Sequence, residues 1–159
     1  MILAVYTFVH VLISVVGIGA GIAVVCAWLQ GKRLAGWEPL FLWTTVATSV
    51  TGFFFPFHGF KPSYAVGILS LIVLAFAFMA RDKYRLAGGW RTTYIGSAVV
   101  ALYFNVFVLI VQLFLKVPAL HALAPTQTET PFKAAQLAAL AAFLVIGITA
   151  ARKFPRLPA

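Results

Sequence analysis

The chain alternates between long apolar runs and short polar segments along almost its whole length. The apolar runs cover residues 2–29, 37–57, 62–80, 92–117 and 132–151. A helix needs about 20 apolar residues to cross a hydrocarbon core of about 30 Å. Because lipid offers no hydrogen bonds to the backbone, each run is expected to form a helix that satisfies its own amides. The pattern predicts one all-α domain over residues 1–159, a polytopic membrane helix bundle of about five transmembrane helices.

The composition points to the same environment. Hydrophobic residues make up 63% of the chain and charged residues 9%, with a mean hydropathy of +1.02. Because this small number of polar residues cannot cover the surface of a water-soluble protein of this size, the lipid bilayer is the expected partner. We expect the first run to be a retained span, because it lacks the basic flank and the cleavage site of a signal peptide.

The positions of the basic residues predict an orientation. The net charge of +9 would suggest a nucleic-acid partner in a soluble domain, but the bases lie almost wholly in the connecting segments, and no such partner is predicted. With five spans, one side carries nine of the twelve bases: Lys32, Arg33, Arg81, Lys83, Arg85, Arg91, Arg152, Lys153 and Arg156. The other side carries Lys61, Lys116 and Lys133. The positive-inside rule then places the N-terminus outside and the C-terminus in the cytoplasm.

Small and aromatic residues predict how the helices pack and sit. Gly17 and Gly21 form a GxxxG pair, a spacing that lets two helices approach closely in lipid. Trp28, Trp37 and Trp90 fall at the cytoplasmic ends of their runs, where we expect them in an aromatic belt at the headgroups.

Polar side chains within the runs define a candidate site. Helical phase puts His10 on the same face as the glycine pair, which directs it into the bundle, and Thr51 lies at a similar depth in the second run. In the fourth run, Asn105, Gln112 and Lys116 are spaced seven and four residues apart and form one stripe. The predicted pocket opens outward and comprises His10, Thr51, His58, Asn105, Gln112, Lys116 and Gln136. The alternative role for these groups is structural, because polar side chains in lipid commonly bond across helices.

The segment from Pro118 to Pro131 is the longest external connection, and it contains Glu129. It is expected either to fold over the pocket as a lid or to remain a solvated connector.

Haem and quinone are the cofactors considered. His10 and His58 are the best haem pair, although straight helices would place them at depths that differ by about 8 Å, whereas two axial ligands must lie nearly level. A quinone would use His10 or Gln112 beside aromatic rings. No metal site and no catalytic constellation is recognised, and Cys26 stands alone, which rules out an intramolecular disulfide.

Residues 10–14 (HVLIS), residues 44–56 (TTVATSVTGFFFP) and the stretch over residues 105–127 resemble an uncharacterised family of small multispan proteins from bacterial genomes. The likeness covers nearly the whole chain. It implies a bacterial inner-membrane location and carries neither an activity nor functional residues.

Three functions remain open from the sequence. The first is noncatalytic: binding or passage of a small lipophilic or weakly polar molecule through the outward-facing pocket. The second is an accessory subunit of a larger respiratory or photosynthetic membrane complex, and the third is a small haem- or quinone-binding electron-transfer protein. Partners are the bilayer and either such a complex or further copies of the chain.

Overall fold

A computed structural model describes residues 1–55 and 62–155. The helices are α1 (Ile2–Leu29), α2 (Trp37–Gly52), α3 (Pro62–Phe78), α4 (Trp90–Lys116), α5 (Pro118–Leu123) and α6 (Thr130–Lys153). A π-helical turn, Met79–Lys83, continues α3, and the described residues contain no strand. The predicted all-helical fold is therefore confirmed, and α5 is an addition within the segment that was expected to be a loop.

Four helices of the described chain are long and apolar enough to cross a membrane: Ile2–Leu29, Tyr64–Lys83, Trp90–Lys116 and Thr130–Lys153. The remaining long helix, α2, has 16 residues. At a rise of 1.5 Å per residue it is about 24 Å long, which is less than the hydrocarbon core of about 30 Å. Four candidate spans are thus established by length and composition, and the fifth predicted span is not confirmed.

The second helix ends earlier than the predicted boundary at residue 57. The amides of Phe53 and Phe54 bond to the carbonyls of Val50 and Thr51 at 3.1 Å and 3.2 Å, which tightens the chain into a turn after Gly52. In the sequence, Phe55 precedes a proline, and the residue before a proline disfavours helical geometry. Hydropathy alone extended the run to residue 57 because the phenylalanines continue the apolar pattern beyond the end of the helix.

The helices pack in chain order, with α1 on α2, α2 on α3 and α3 on α4, and α6 packs on both α4 and α1. At one end, Arg91 of α4 donates hydrogen bonds to the carbonyls of Phe154 and Ala151, at 2.7 Å and 3.4 Å. Arg33, in the segment between α1 and α2, lies over the ring of Phe154. We call this the basic end. The histidine end is the opposite one, where the first half of α1 lies against the end of α2.

The core lies toward the basic end. In α1 no residue before Gly17 is buried, whereas Val24 and Trp28 are fully buried. At Gly21 a Cβ atom would lie 2.7 Å from Leu102 Cδ1 and 2.8 Å from Phe41 Cε2. This glycine therefore permits the close approach of α1 to its neighbours that the GxxxG spacing predicts.

The prediction of an aromatic belt was wrong for Trp28. Trp28 is 0% exposed, so its indole does not face headgroups. Its Nε1 donates to Glu38 Oε1 at 3.3 Å, and its ring packs edge-on against Tyr94 and Phe154, with centroids 5.4 Å away in both cases. A buried hydrogen-bond acceptor thus holds the indole inside the bundle. Trp37, by contrast, is 50% exposed.

Candidate functional site

Four residues at the histidine end, Tyr6, His10, Thr51 and Phe55, form what we call the histidine cluster. Tyr6 and His10 are four residues apart on α1 and therefore share a face. His10 Nδ1 lies 2.7 Å from Thr51 Oγ1, and the Tyr6 hydroxyl donates to the Thr51 carbonyl. The Phe55 ring stands edge-on to both, at centroid distances of 5.0 Å.

The end of α2 explains why these groups meet. The last carbonyls of a helix lack partners within it, and the Thr51 carbonyl accepts from the Phe54 amide in the turn and from the Tyr6 hydroxyl of α1. The Ser14 hydroxyl donates to the His10 carbonyl at 2.7 Å, a bond local to α1. His10 itself is half-buried. The structure thus brings together His10 and Thr51, two of the predicted site residues, and adds Tyr6 and Phe55, which the sequence analysis did not select.

The remaining candidate residues lie elsewhere in the hydrogen-bond pattern. Asn105 is buried and donates from Nδ2 to Thr45 Oγ1 at 3.3 Å, which joins α4 to α2. Gln136 donates from Nε2 to the Phe107 carbonyl at 3.2 Å, which joins α6 to α4. These bonds have the form that structural polar residues take in lipid. Gln112 and Lys116 are exposed, and His58 lies outside the described residues. Among the described residues, no hydrogen bond joins any of these groups to His10 or Thr51.

Two hollows in the described bundle are lined by residues outside the candidate site. A cavity of about 60 Å³ lies between α4 and α6, lined by Val99, Val100, Tyr103, Leu140, Phe143 and Leu144. A shallow apolar groove runs along the first turns of α1, lined by Met1, Leu3, Ala4, Thr7, Phe8 and Val11. Both are lined by residues other than the seven candidates. None of the four residues of the histidine cluster lines either hollow.

The segment between α4 and α6 folds back onto α4. Gln127, which has a φ of +60°, donates from Nε2 to the Val111 carbonyl at 2.9 Å. Glu129 accepts hydrogen bonds from the amides of Thr126 and Thr128, at 3.2 Å and 3.0 Å. The segment is thus tied to the helix before it, and none of its described hydrogen bonds reaches the histidine cluster.

A second polar group, at the basic end, was missed by the sequence analysis. Glu38 is 1% exposed although it lies in the first turn of α2. Its carboxylate accepts from Arg33 Nε at 2.9 Å, from the Tyr94 hydroxyl at 3.1 Å and from the Trp28 indole. Arg33 Nη2 completes a two-point ion pair. The hydrogen bond to Glu38 raises the pKa of the Arg33 guanidinium, while burial opposes the rise.

This Glu38 network connects three helices through one carboxylate. Phe154, which follows α6, packs against Trp28 and Arg33 of the network. Phe154 is 2% exposed, and the guanidinium of Arg33 lies 5.3 Å from its ring centroid. Burial of an ion pair is tolerated when further hydrogen bonds satisfy its remaining atoms, as the Trp28 and Tyr94 bonds do here. In the sequence, the only indication of this network was that the oppositely charged Arg33 and Glu38 are five residues apart. Tyr94 lies 56 residues from Glu38, and no local pattern predicts that contact.

Comparison of the chain with protein-family models, curated proteins and solved structures gave no match. The resemblance of residues 10–14, 44–56 and 105–127 to a family of small bacterial multispan proteins stays a prediction.

Proposed function

We propose that this chain is a noncatalytic membrane protein that binds a small lipophilic or weakly polar molecule at its histidine end. The observation that carries the proposal is the histidine cluster, where His10 and Thr51 are in hydrogen-bond contact beside two aromatic rings. Binding sites for such molecules combine apolar and aromatic walls with a few placed polar groups. A polar side chain on a membrane helix is costly when it faces lipid alone, which favours a functional role for His10.

The proposal includes about five spans, with the N-terminus outside and the C-terminus in the cytoplasm of a bacterial inner membrane. Its support is the packing of α2 against α1 and α3, both of which belong to segments long enough to cross a membrane. This arrangement places the histidine cluster in the outer half of the bilayer and the Glu38 network at the cytoplasmic side.

Labelling of single cysteines in intact cells tests this topology, in a variant whose own cysteine is removed by Cys26→Ala. Lys32→Cys and Phe54→Cys should label from opposite sides if α2 crosses the membrane. Arg85→Cys and Gln127→Cys should do so across α4. Labelling of positions 32 and 54 from the same side would reduce the bundle to four spans.

Native mass spectrometry of the gently purified protein tests the function. A bound small molecule that remains with the wild-type chain should be lost from His10→Ala, while circular dichroism shows that this variant is still folded. Gln112→Leu serves as the comparison, because Gln112 is exposed and lies in the other predicted polar stripe. Equal retention of the molecule in His10→Ala and the wild type would refute binding at the cluster.

The accessory-subunit function is favoured by one observation, the apolar face of α6. Only 6% of its most apolar 18-residue stretch is buried, and its exposed side chains include Leu137, Leu140, Leu144, Val145 and Ile148. Either lipid or another membrane protein could cover this face. Large subunits that co-purify in the same mass spectra would establish the alternative. A Soret band in the absorption spectrum would instead establish the haem-protein alternative.

A further inference from the structure

Hydrogen bonding at Thr51 determines which nitrogen of His10 carries its proton. The Thr51 hydroxyl lies 2.7 Å from the Ala47 carbonyl. A carbonyl oxygen only accepts hydrogen bonds, so this contact uses the single proton of the hydroxyl. The same oxygen lies 2.7 Å from His10 Nδ1. Since the hydroxyl proton is already engaged, Thr51 Oγ1 must accept there, and Nδ1 must donate.

A neutral imidazole has one N–H group, and here it lies on Nδ1. Nε2 therefore presents an unprotonated lone pair, which accepts hydrogen bonds and donates none. No described residue bonds to Nε2. Nε2 is also not one of the buried side-chain polar atoms that lack a hydrogen-bond partner among the described residues, so it is not enclosed. The Phe55 ring stands edge-on to the half-buried imidazole, and the Tyr6 ring packs on Phe55. The site thus consists of one oriented acceptor beside an aromatic ring.

From this geometry, and resting on the function proposed above, we infer that the ligand is a lipophile with a hydroxyl group that donates to His10 Nε2. Phenols, quinols and long-chain alcohols have this chemistry. A quinone does not, because its carbonyl oxygens only accept hydrogen bonds. The inference therefore narrows the predicted quinone site to the reduced form.

Two other occupants could use the same lone pair. One is a haem iron, since iron-bound histidines typically donate their other N–H to a neighbouring group. Among the described residues, the other histidine is His121, exposed on α5, and no cluster of three or more potential metal ligands exists. The other occupant is a phospholipid headgroup with its own donor, such as ethanolamine. The oriented acceptor favours the hydroxyl-bearing lipophile, and the measurements below distinguish the three occupants.

The first measurement is the ¹⁵N spectrum of histidine-labelled protein in phosphatidylcholine nanodiscs, whose headgroups carry no N–H or O–H donor. The signal assigned by its loss in His10→Asn should show a protonated Nδ1 and an unprotonated Nε2. Thr51→Val, which removes the acceptor, should shift protonation toward Nε2. A proton on Nε2 in the wild type would overturn the inference without any binding experiment.

The second measurement compares para-decylphenol with its methyl ether, which has the same tail and ring but no donor. Affinity is read from thermal stabilisation in the same nanodiscs. Loss of the hydroxyl donor should weaken binding to the wild type by about tenfold, the factor for one hydrogen bond of about 1.4 kcal/mol. In His10→Asn, whose amide can still donate to Thr51 but has no atom at the Nε2 position, the two compounds should bind equally.

Each outcome bears on one of the proposals. Equal binding of phenol and ether to the wild type would overturn the inference and leave the binding function intact. Absence of stabilisation by either compound, with a bare chain in native mass spectra, would overturn both. Competition of phosphatidylethanolamine with the phenol would identify a headgroup as the occupant, and a Soret band lost in His10→Asn would identify haem. Either finding overturns the inference.

Discussion

The Glu38 network predicts how much stability the bundle loses when one buried hydrogen bond is removed. Tyr94→Phe removes a single oxygen, which donates to Glu38 Oε2 at 3.1 Å, and leaves the ring in place. Tyr94 is 0% exposed, so water cannot replace the lost donor. Hydrogen bonds to charged groups contribute about 1.5 to 3 kcal/mol. We expect the free energy of unfolding to fall by that amount.

The same helix offers a matched control. Tyr103 is half-buried on α4, and its hydroxyl has no hydrogen-bond partner among the described residues. Tyr103→Phe should therefore change the free energy of unfolding by less than about 0.5 kcal/mol, as expected where no special interaction is lost. The assay is an SDS titration in mixed micelles, followed by circular dichroism, with all variants measured under one set of conditions.

A double-mutant cycle identifies the partner. Glu38→Gln keeps the shape of the side chain but removes its charge. In that background, the loss of unfolding free energy caused by Tyr94→Phe should therefore be smaller. Residues in one network couple by on the order of 0.5 to 3 kcal/mol, so we expect a decrease of about 0.5 kcal/mol or more. Equal costs of Tyr94→Phe and Tyr103→Phe would refute the argument that the buried carboxylate stabilises the bundle. An undiminished cost in the Glu38→Gln background would show that Tyr94 acts through another contact.

Two further substitutions test the packing, with the same assay. Gly21→Ala should destabilise the bundle by about 1 to 3 kcal/mol, because its Cβ would overlap the buried Phe41 ring. Gly19→Ala is the control and should not destabilise the bundle, because no atom lies within 4 Å of its Cβ. Equal effects of the two substitutions would contradict the close approach of α1 to its neighbours at Gly21. Asn105→Leu should cost only about 0.6 kcal/mol, the average for interhelical hydrogen bonds in lipid, because Thr45 keeps its bond to the Phe41 carbonyl at 2.8 Å. A cost above that of Tyr94→Phe would mean that Asn105 has a larger role.

The candidate site was partly predictable. Matching depth along two helices predicted that His10 and Thr51 lie at one level, and the structure places them 2.7 Å apart. The same reasoning grouped Gln112 with them, yet Gln112 is exposed. Depth follows from counting residues along a helix, whereas the rotation of one helix against another depends on side chains from the whole bundle. Tyr6 was within reach of the sequence, because it lies one turn from His10 on the same face.

The sequence by itself determined the helical class and the four candidate spans, because an apolar run in lipid must satisfy its backbone locally, whatever its neighbours are. It also determined the bounds of α1, which the structure repeats as Ile2–Leu29. Only the tertiary structure decided that Trp28 and Glu38 are buried inside the bundle. Their partners, Tyr94 and Phe154, come from distant parts of the chain, and burial of a polar group becomes favourable only once packing brings those partners together.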